Sequence, residues 1–232
     1  MDVKINKLSC IAFIFFILLL TEGSVANLQH ENPLSDNEAG QILEQITQKL
    51  GTVKNIDAEF TQDRHLSILI DPLASEGRCI FATPDQLRWE VFKPYRSILI
   101  YNQNNIGKFD FQDGKLRKLN LGTEDLMREI LKQIISWMQG NFEDAKKVYD
   151  LKLFNSGNVR LVLVPKSAEL QKNIRSIELQ FTENLTVIRS VKIVETEKDF
   201  IDIQFHNVKQ NVEINPGIFN TEQPEIITQP SK

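Results

Sequence analysis

Apolar and polar residues alternate with a period of two along most of the chain, the pattern of β-strands that bury one face. In the clearest case, Leu87, Trp89 and Val91 alternate with Arg88 and Glu90. This alternation predicts a strand with one buried face and one face in water. Segments of this kind recur through the chain, separated by turn residues, so we expect an antiparallel sheet of about ten short strands.

The predicted strands carry either strict alternation or a short unbroken apolar run. They are residues 56–61, 79–82, 87–91, 97–101, 109–116 (a hairpin around Asp113-Gly114), 151–154, 159–164, 174–181, 187–194 and 200–205. The apolar stretch Ile68–Ile70 follows a polar break after the first strand, and we interpret it as a continuation of that strand. Pro84 ends the second strand because proline cannot donate to the ladder.

Two segments change to the helical period. Ser35 and Glu38 form a capping box, and the helix that they begin ends before Gly51. A second helix is predicted for residues 123–139, with Thr123 as its cap and Gly140 after its end. Each helix has one apolar face, which must pack on another element. The pattern therefore predicts an α+β fold in which a strongly curved antiparallel sheet receives two helices.

The N-terminus has the pattern of a secretory signal peptide. Lys4 and Lys7 precede an apolar run that is shorter than the ~20 residues of a membrane-spanning helix. Small residues follow and end at Ala26, so we expect cleavage there and export to the periplasm. Residues 27–232 then form one domain. Cys79 is its only cysteine, so no disulfide is expected within it.

Charge and motifs exclude several function classes. The chain has 27 Lys and Arg against 31 Asp and Glu and no basic cluster, which argues against binding of nucleic acid. Its three histidines have no metal-ligand spacing, and no nucleophile elbow or phosphate loop is present. We therefore predict a protein that is not an enzyme and that uses neither a metal nor a cofactor.

What remains is a surplus of large apolar residues, including 14 phenylalanines. A curved sheet lined by such residues is either filled by the helices, as a core, or left partly open, as a lipid pocket. Periodicity does not separate these two cases. The candidate cavity residues are Phe60, Phe81, Leu87, Trp89, Val91, Ile98, Ile100, Leu161, Leu163, Leu179, Phe181 and Phe205.

Several short motifs, in their order and spacing, resemble the LolA family of periplasmic outer-membrane lipoprotein carriers. In the first half they are Phe60-Thr61-Gln62, Glu76-Gly77, Pro84, Leu87-Arg88-Trp89, Pro94 and Ser97–Ile100. In the second half they are Leu163-Val164-Pro165-Lys166, Ile177–Phe181, Phe205-His206-Asn207-Val208, Asn211 and Phe219. The resemblance extends over nearly all of residues 27–232.

The resemblance implies an unclosed half-barrel whose helices form a lid over an apolar cavity lined by Leu87 and Trp89. It also implies a monomeric carrier that accepts acylated lipoproteins from an inner-membrane ABC-type release complex and delivers them to an outer-membrane acceptor. The lid residues would be Ile42, Ile46, Ile130 and Ile134.

One position departs from the family pattern. The family has an arginine before the proline that ends the second strand, and that arginine latches the lid; here the position is Thr83. We therefore expect a lid that is held by apolar contacts without a polar latch. The missing arginine favours a carrier of another lipid or of a glycolipid, and a sensor or regulatory binding protein on the same fold is a third hypothesis.

Overall fold

The structure is a computed structural model that describes residues 32–120 and 124–227. The predicted signal peptide and the predicted cap Thr123 lie outside the described residues. The helices are α1 (Asp36–Leu50), α2 (Glu124–Met138), α3 (Ala145–Val148), α4 (Ala168–Gln171) and a 3₁₀ helix (Pro216–Phe219). The strands are β1 (Asn55–His65), β2 (Leu73–Ala82), β3 (Gln86–Lys93), β4 (Ser97–Asn102), β5 (Asn105–Gln112), β6 (Lys115–Lys118), β7 (Tyr149–Asn155), β8 (Val159–Pro165), β9 (Ser176–Phe181), β10 (Ile188–Val194) and β11 (Phe200–Gln210).

All strands in the described part of the chain belong to one 11-stranded antiparallel sheet. Its order is β6-β5-β4-β3-β2-β1-β11-β10-β9-β8-β7, so the first and last strands of the order are edges and the sheet is unclosed. This confirms the predicted α+β fold with an antiparallel half-barrel. The short helices α3 and α4 and the 3₁₀ helix were not predicted, because segments of four residues carry no helical period.

The strand register divides the side chains between two faces. Phe60 lies opposite Gly77 on β2 and Phe205 on β11, and Cys79 lies opposite Trp89 on β3. Directly paired residues project on the same side of an antiparallel sheet. We call the side that carries these residues the inner face and the opposite side the outer face.

The inner face is concave. Two strands separate β3 from β11, so Trp89 and Phe205 would lie about 14 Å apart on a flat sheet. Their ring centroids are only 6.1 Å apart. Register shifts interrupt the β1–β11, β9–β10 and β2–β3 ladders, with the extra residue on β11, β10 and β3, and such bulges increase the bend of a strand.

Gly77 provides the space that this close approach needs. A Cβ atom at this position would lie 2.6 Å from Cζ of Phe60 and would also contact the Glu90 carbonyl oxygen. Without a side chain there, the Phe60 ring crosses β2 and stacks on Trp89, with 4.0 Å between the ring centroids. The glycine therefore permits the aromatic cluster at the centre of the inner face.

The outer face of β2 to β5 is buried, contrary to the expectation that one face of β3 lies in water. Ile218 and Phe219 pack on a cluster with Ile80, Ile98, Ile100 and Phe109. We call residues 211–227 the C-terminal strap. Arg88 and Glu90 lie under this strap with no exposed surface, and Arg88 Nη1 donates to the Ile218 carbonyl oxygen at 2.7 Å.

The stretch Ile68–Ile70 is not a strand, so the interpretation as a continuation of β1 is wrong. The strand ends at His65, and the Leu69 N–H donates to the Leu66 carbonyl oxygen at 2.9 Å in a turn. Asp199 Oδ1 accepts from the Ser67 N–H at 2.6 Å, which fixes the start of the loop. The backbone is therefore committed to turn contacts and cannot extend the ladder.

Helix α1 begins as predicted. The Ser35 hydroxyl accepts from the Glu38 N–H at 3.5 Å, and Glu38 Oε2 accepts from the Ser35 N–H at 3.1 Å. Ahead of it, the Leu34 N–H donates to the Leu153 carbonyl oxygen on β7 at 2.8 Å. The other end of the helix is held at the turn after β9, where Lys49 Nζ donates to the Asn184 carbonyl oxygen at 2.8 Å.

Helix α2 lies against β3 and β5. The C-terminal strap covers the outer face of these strands, so α2 lies on their inner side. Among the side chains of α2 that the structure describes, Met127, Leu131, Ile135 and Trp137 are buried. The Trp137 ring meets Tyr149 of β7 edge to face, with 6.0 Å between the centroids. We call strands β1 to β6 one arm of the sheet and strands β7 to β11 the other arm. Helix α2 therefore contacts both arms.

Candidate functional site

The register brings most of the predicted cavity residues to one surface. Ten of the twelve lie on the inner face. They are Phe60, Phe81, Leu87, Trp89, Val91, Leu161, Leu163, Leu179, Phe181 and Phe205. Their common orientation follows from the pairing of the strands, since each pair continues the inner face to the next strand.

Ile98 and Ile100 do not belong to this surface, and their assignment to the cavity is wrong. Ile100 pairs with Arg88 and Ile98 pairs with Glu90, so both isoleucines project from the outer face and pack under the C-terminal strap. The β4 residues on the inner face are Leu99 and Tyr101, which pair with Trp89 and Leu87. Residues 98–101 are all apolar, so alternation does not show which pair faces inward.

Only part of the inner face can be reached by a ligand. Trp89 and Phe205 are half-buried, and so are Val191 and Ile193 on β10. Phe60, where the two arms meet, is 1% exposed and forms the floor under the Trp89 ring. The other inner-face positions from the prediction are fully buried: Phe81, Leu87, Val91, Leu161, Leu163, Leu179 and Phe181.

Four accessible apolar side chains thus form a strip on β3, β11 and β10 around the buried Phe60 floor. We call the Trp89, Phe205, Val191 and Ile193 side chains the central strip. The sequence did not identify Val191 and Ile193, although they alternate with Lys192 on a predicted strand. Their position relative to Trp89 depends on long-range pairing, which alternation within one strand does not specify.

The predicted lid residues differ in burial. Ile46 of α1 is completely buried, whereas Ile42 is half-buried. On α2, Ile130 and Ile134 are half-buried beside the stripe formed by Met127, Leu131 and Ile135. Each helix therefore has buried apolar side chains that attach it to the fold and half-buried apolar side chains beside them.

The expectation of a lid without polar bonds is wrong. Thr83 is exposed, and its N–H donates to the Lys54 carbonyl oxygen at 2.9 Å. The next carbonyl oxygen, that of Pro84, accepts from Gln139 Nε2 at 2.7 Å, just after the end of α2. The donor of this polar link is Gln139, next to α2, and not the residue at position 83. The sequence pattern therefore did not predict it.

Two further hydrogen bonds hold the helices. Thr47 Oγ1 of α1 donates to the Gly140 carbonyl oxygen at 2.7 Å, which joins the first helix to the end of the second. Arg128 Nε of α2 donates to the Asn104 carbonyl oxygen at 2.9 Å. Opening the helices away from the sheet would therefore break polar bonds as well as apolar contacts.

We expect Gln139→Leu to loosen α2. The change keeps the side-chain size and removes the donor to Pro84, a bond worth about 1 kcal/mol. Amide hydrogen exchange of α2 should accelerate about fivefold. Gln48→Leu on α1 is the matched control, since that amide bonds only to Glu44 of its own helix at 3.3 Å. Unchanged exchange of α2 in Gln139→Leu would show that this bond does not hold the helix.

The ionisable groups of the inner face include a buried thiol and two ion pairs, Arg64 with Glu195 and Lys108 with Asp110. Burial raises the pKa of the Cys79 thiol to about 12, so the sulfur is an uncharged part of the core. At one end of the face, Arg64 Nη2 donates to both Glu195 oxygens at 3.1 and 3.0 Å. Burial raises the pKa of the Glu195 carboxyl, and the Arg64 charge opposes that rise. In residues 32–120 and 124–227, no group of His, Cys, Asp and Glu side chains could hold a metal ion.

The amino-acid sequence identifies the family to which the chain belongs. Residues 51–222 match the profile described as "Outer membrane lipoprotein carrier protein LolA". The chain belongs to the LolA family. The match spans β1 to β11, both arms of the sheet, and α2, so it includes the whole central strip. No curated protein matches the sequence.

Several solved structures are similar to this member of the LolA family. The LolA superfamily protein NE2245 from Nitrosomonas europaea is 8% identical, with a TM-score of 0.41 over 78% of this chain and 97% of that chain. The lipoprotein LppX from Mycobacterium tuberculosis is 10% identical, with a TM-score of 0.45 over 78% of this chain and 99% of that chain. The MucA/MucB complex of Pseudomonas aeruginosa gives 11% identity and a TM-score of 0.45 over 79% of this chain and 60% of that chain. These scores are low, so membership in the LolA family rests on the sequence match.

In the described part of this LolA-family chain, no helix has the length and apolar character needed to cross a bilayer.

Proposed function

We propose that this protein carries acyl chains between membranes, with the central strip as the surface that holds them. One observation supports this most directly: Trp89 and Phe205 meet on a concave face and remain partly exposed, although packed core surrounds them. A folded chain gains by burying aromatic side chains, and leaving two of them open at the centre of the sheet is unusual unless a ligand covers them.

The energetics favour an acyl chain as that ligand. Each CH₂ group moved out of water gains about 0.8 kcal/mol, so a multiply acylated molecule needs shelter to cross an aqueous compartment. The central strip offers aromatic and branched aliphatic surface whose only hydrogen-bonding group is the Trp89 indole N–H. Such a surface holds acyl chains of different lengths, and it releases them without breaking a specific polar bond.

Family membership favours lipoproteins as the cargo. In that role the protein would be exported by a cleaved N-terminal signal, act as a monomer in the periplasm, receive cargo from an inner-membrane ABC-type release complex and deliver it to an outer-membrane acceptor. The proposal requires no enzymatic step, no cofactor and no nucleic acid. The LolA-family arginine that latches the lid is replaced by Thr83, and the bond from Gln139 to Pro84 supplies a weaker link at the same turn.

A second candidate is a carrier of another lipid or a glycolipid on the same surface. The replacement of the family's latch arginine by Thr83 favours it, because the chain departs from the lipoprotein-carrier pattern at this position. A regulatory binding protein is the third candidate, and the complex of the similar protein MucB with MucA is a precedent for it. The three candidates differ in the molecule that the central strip contacts: the acyl chains of a lipoprotein, a free lipid or glycolipid, or a partner protein.

Quenching of Trp89 by brominated fatty acids tests the proposed surface. In a Trp137→Phe background, Trp89 is the only tryptophan, because the chain has two. Its half-exposed ring should be quenched by the bound brominated chain in a saturable manner. The matched control is Trp89→Phe, in which the remaining Trp137 is 8% exposed and should respond little. Lipid binding without quenching of Trp89 would place the acyl chains elsewhere.

A further inference from the structure

Large apolar side chains that face water are concentrated in a few places in residues 32–120 and 124–227. The most exposed are Ile70 at 102% and Ile68 at 86%, followed by Tyr95 at 80%. Four more complete the set: Ile226, Leu73, Leu69 and Phe111. Seven such residues scattered over a surface would need no explanation. Their distribution is therefore the informative feature.

The loop between β1 and β2 and the turn between β3 and β4 lie at the same end of the sheet. Arg64 pairs with Leu73 where β1 ends and β2 begins, so residues 66–72 project beyond that end. Glu76, close to the start of β2, pairs with Lys93 at the end of β3. Tyr95, in the turn after Lys93, therefore projects in the same direction as Ile68 and Ile70.

The remaining exposed apolar residues also lie at this end of the sheet. Ser97 at the start of β4 pairs with Asp110, which places Phe111 at the same border. Arg96 Nη2 donates to the Ile227 carbonyl oxygen at 2.5 Å, which brings Ile226 of the C-terminal strap alongside. All seven exposed side chains thus lie at one end of β1 to β5. We call these seven side chains the apolar end.

The opposite end of the same strands is polar. Its exposed residues include Lys54 before β1, Thr83 in the turn after β2, and Gln103 and Asn104 in the turn after β4. None of the seven exposed apolar residues lies there. This asymmetry between the two ends distinguishes the apolar end from ordinary scattered surface hydrophobics.

The loop of the apolar end is held by turn contacts that leave its side chains in water. Hydrogen bonds from Ser67 to Asp199 and from Leu69 to Leu66 fix its backbone, at 2.6 and 2.9 Å. Ile68 and Ile70 do not fold back on the sheet, as their exposure shows. The structure therefore keeps these side chains in water at a convex tip.

We propose that the apolar end inserts into the surface of a lipid bilayer. A convex tip with a few side chains on each loop cannot build the standard protein interface of about 1,600 Å², which needs a broad complementary partner. A bilayer requires no complementary shape and accepts isolated apolar side chains. Tyr95 adds an aromatic ring of the kind that settles at the boundary between headgroups and acyl chains.

Charges around the apolar end favour insertion into uncharged lipid. Several nearby ions occur as opposite-sign pairs: Glu76 with Lys93, Asp113 with Arg117 and Glu197 with Arg175. The other exposed charges at this end are also of both signs, namely Asp71, Lys115 and Lys198. Such balanced pairs give little net attraction to an anionic membrane. Binding should therefore depend on the apolar side chains and only weakly on anionic lipid. This inference does not depend on the proposed function, because it concerns a different surface from the central strip.

An environment-sensitive fluorophore next to the tip tests the insertion. Asp71→Cys in a Cys10→Ser background places one reactive cysteine beside Ile70, since Cys79 is 2% exposed and resists labelling. The full chain, labelled with nitrobenzoxadiazole, is mixed with phosphatidylcholine vesicles. We expect a blue shift of the emission and quenching by brominated phosphatidylcholine. The same label at Lys54→Cys, at the polar end, should not respond.

The double variant Ile68→Ser/Ile70→Ser in the labelled Asp71→Cys chain should reduce partitioning into the vesicles by about tenfold or more. Residues 1–31 are the same in every variant, so they cannot cause this difference. The proposal is overturned if the label at position 71 does not respond, if that at position 54 responds equally, or if the double variant binds as well. A blue shift that grows with protein concentration without vesicles would identify a second copy of the chain as the occupant and would also overturn it.

Discussion

Glu90→Gln should lower the free energy of unfolding by about 3–5 kcal/mol, because it leaves two arginines under the C-terminal strap without their counter-charge. Glu90 has no exposed surface, and its Oε2 accepts from Arg88 Nε and Nη2 at 2.9 and 2.6 Å. Its Oε1 accepts from Arg96 Nε and Nη2 at 2.8 and 2.5 Å. A neutral amide of the same size cannot balance one fully buried and one partly buried guanidinium group.

Urea unfolding monitored by circular dichroism measures this change. The matched control is Glu222→Gln, which breaks the exposed pair with Lys118 and should cost less than about 1 kcal/mol. A loss of less than 1 kcal/mol for Glu90→Gln would contradict the structural role of the cluster. Proteolysis in native buffer should also cut the strap of Glu90→Gln sooner, because Arg88 and Arg96 hold the carbonyl oxygens of Ile218 and Ile227.

The ion-pair cluster of Arg88, Glu90 and Arg96 matters for function because it lies on the outer face of β3, opposite the central strip. Arg88 and Glu90 project from the outer face, and Trp89 between them projects from the inner face. Burial lowers the pKa of the Arg88 guanidinium, and the Glu90 carboxylate opposes that change. The buried ions therefore fix the strand that carries the central aromatic residue of the proposed binding surface.

Phe205→Gln should weaken binding of a long-chain fatty acid about a hundredfold. The change removes the edge-to-face partner of Trp89 and places an amide in the central strip, where the Trp89 indole N–H is the only polar group. Loss of the ring and desolvation of the amide together amount to about 3 kcal/mol. The affinity can be measured by titration with a fluorescent fatty acid.

His206→Gln is the matched control for this substitution. It introduces the same residue at the next position of β11, where the side chain is exposed on the outer face and contacts Thr61. Fatty-acid affinity should stay within about twofold of wild type, since no apolar surface is lost there. Equal weakening in both variants would indicate a general effect on β11 instead of a contact with the ligand.

The sequence predicted the fold well because alternation and turn residues are local signals. The hairpin at Asp113-Gly114 and the capping box at Ser35 depend only on neighbouring residues, and both are found in the structure. Ten inner-face residues also lie on the predicted side, because their strands alternate between apolar and polar positions or carry aromatic residues.

Most of the errors concern contacts between distant parts of the chain, whereas the turn at Ile68–Ile70 and the four-residue helices are local features without a periodic signal. Arg88 and Glu90 look solvent-facing within β3, because nothing nearby indicates that residues 211–227 return to cover them. Ile98 and Ile100 are apolar like their neighbours, so only the register with β3 assigns them to the outer face. The bond from Gln139 to Pro84 likewise joins residues that only the tertiary fold brings together.

Native mass spectrometry of protein recovered from the periplasm, followed by lipid extraction, tests the central claim most directly. The proposed function predicts that the wild-type chain retains an acylated molecule and that Phe205→Gln retains much less, while His206→Gln retains as much as wild type. Bound lipoprotein would favour the lipoprotein carrier, and bound free lipid would favour the second candidate. A wild-type protein that is folded and monomeric but never carries acyl chains, even after incubation with excess lipid, would contradict the account.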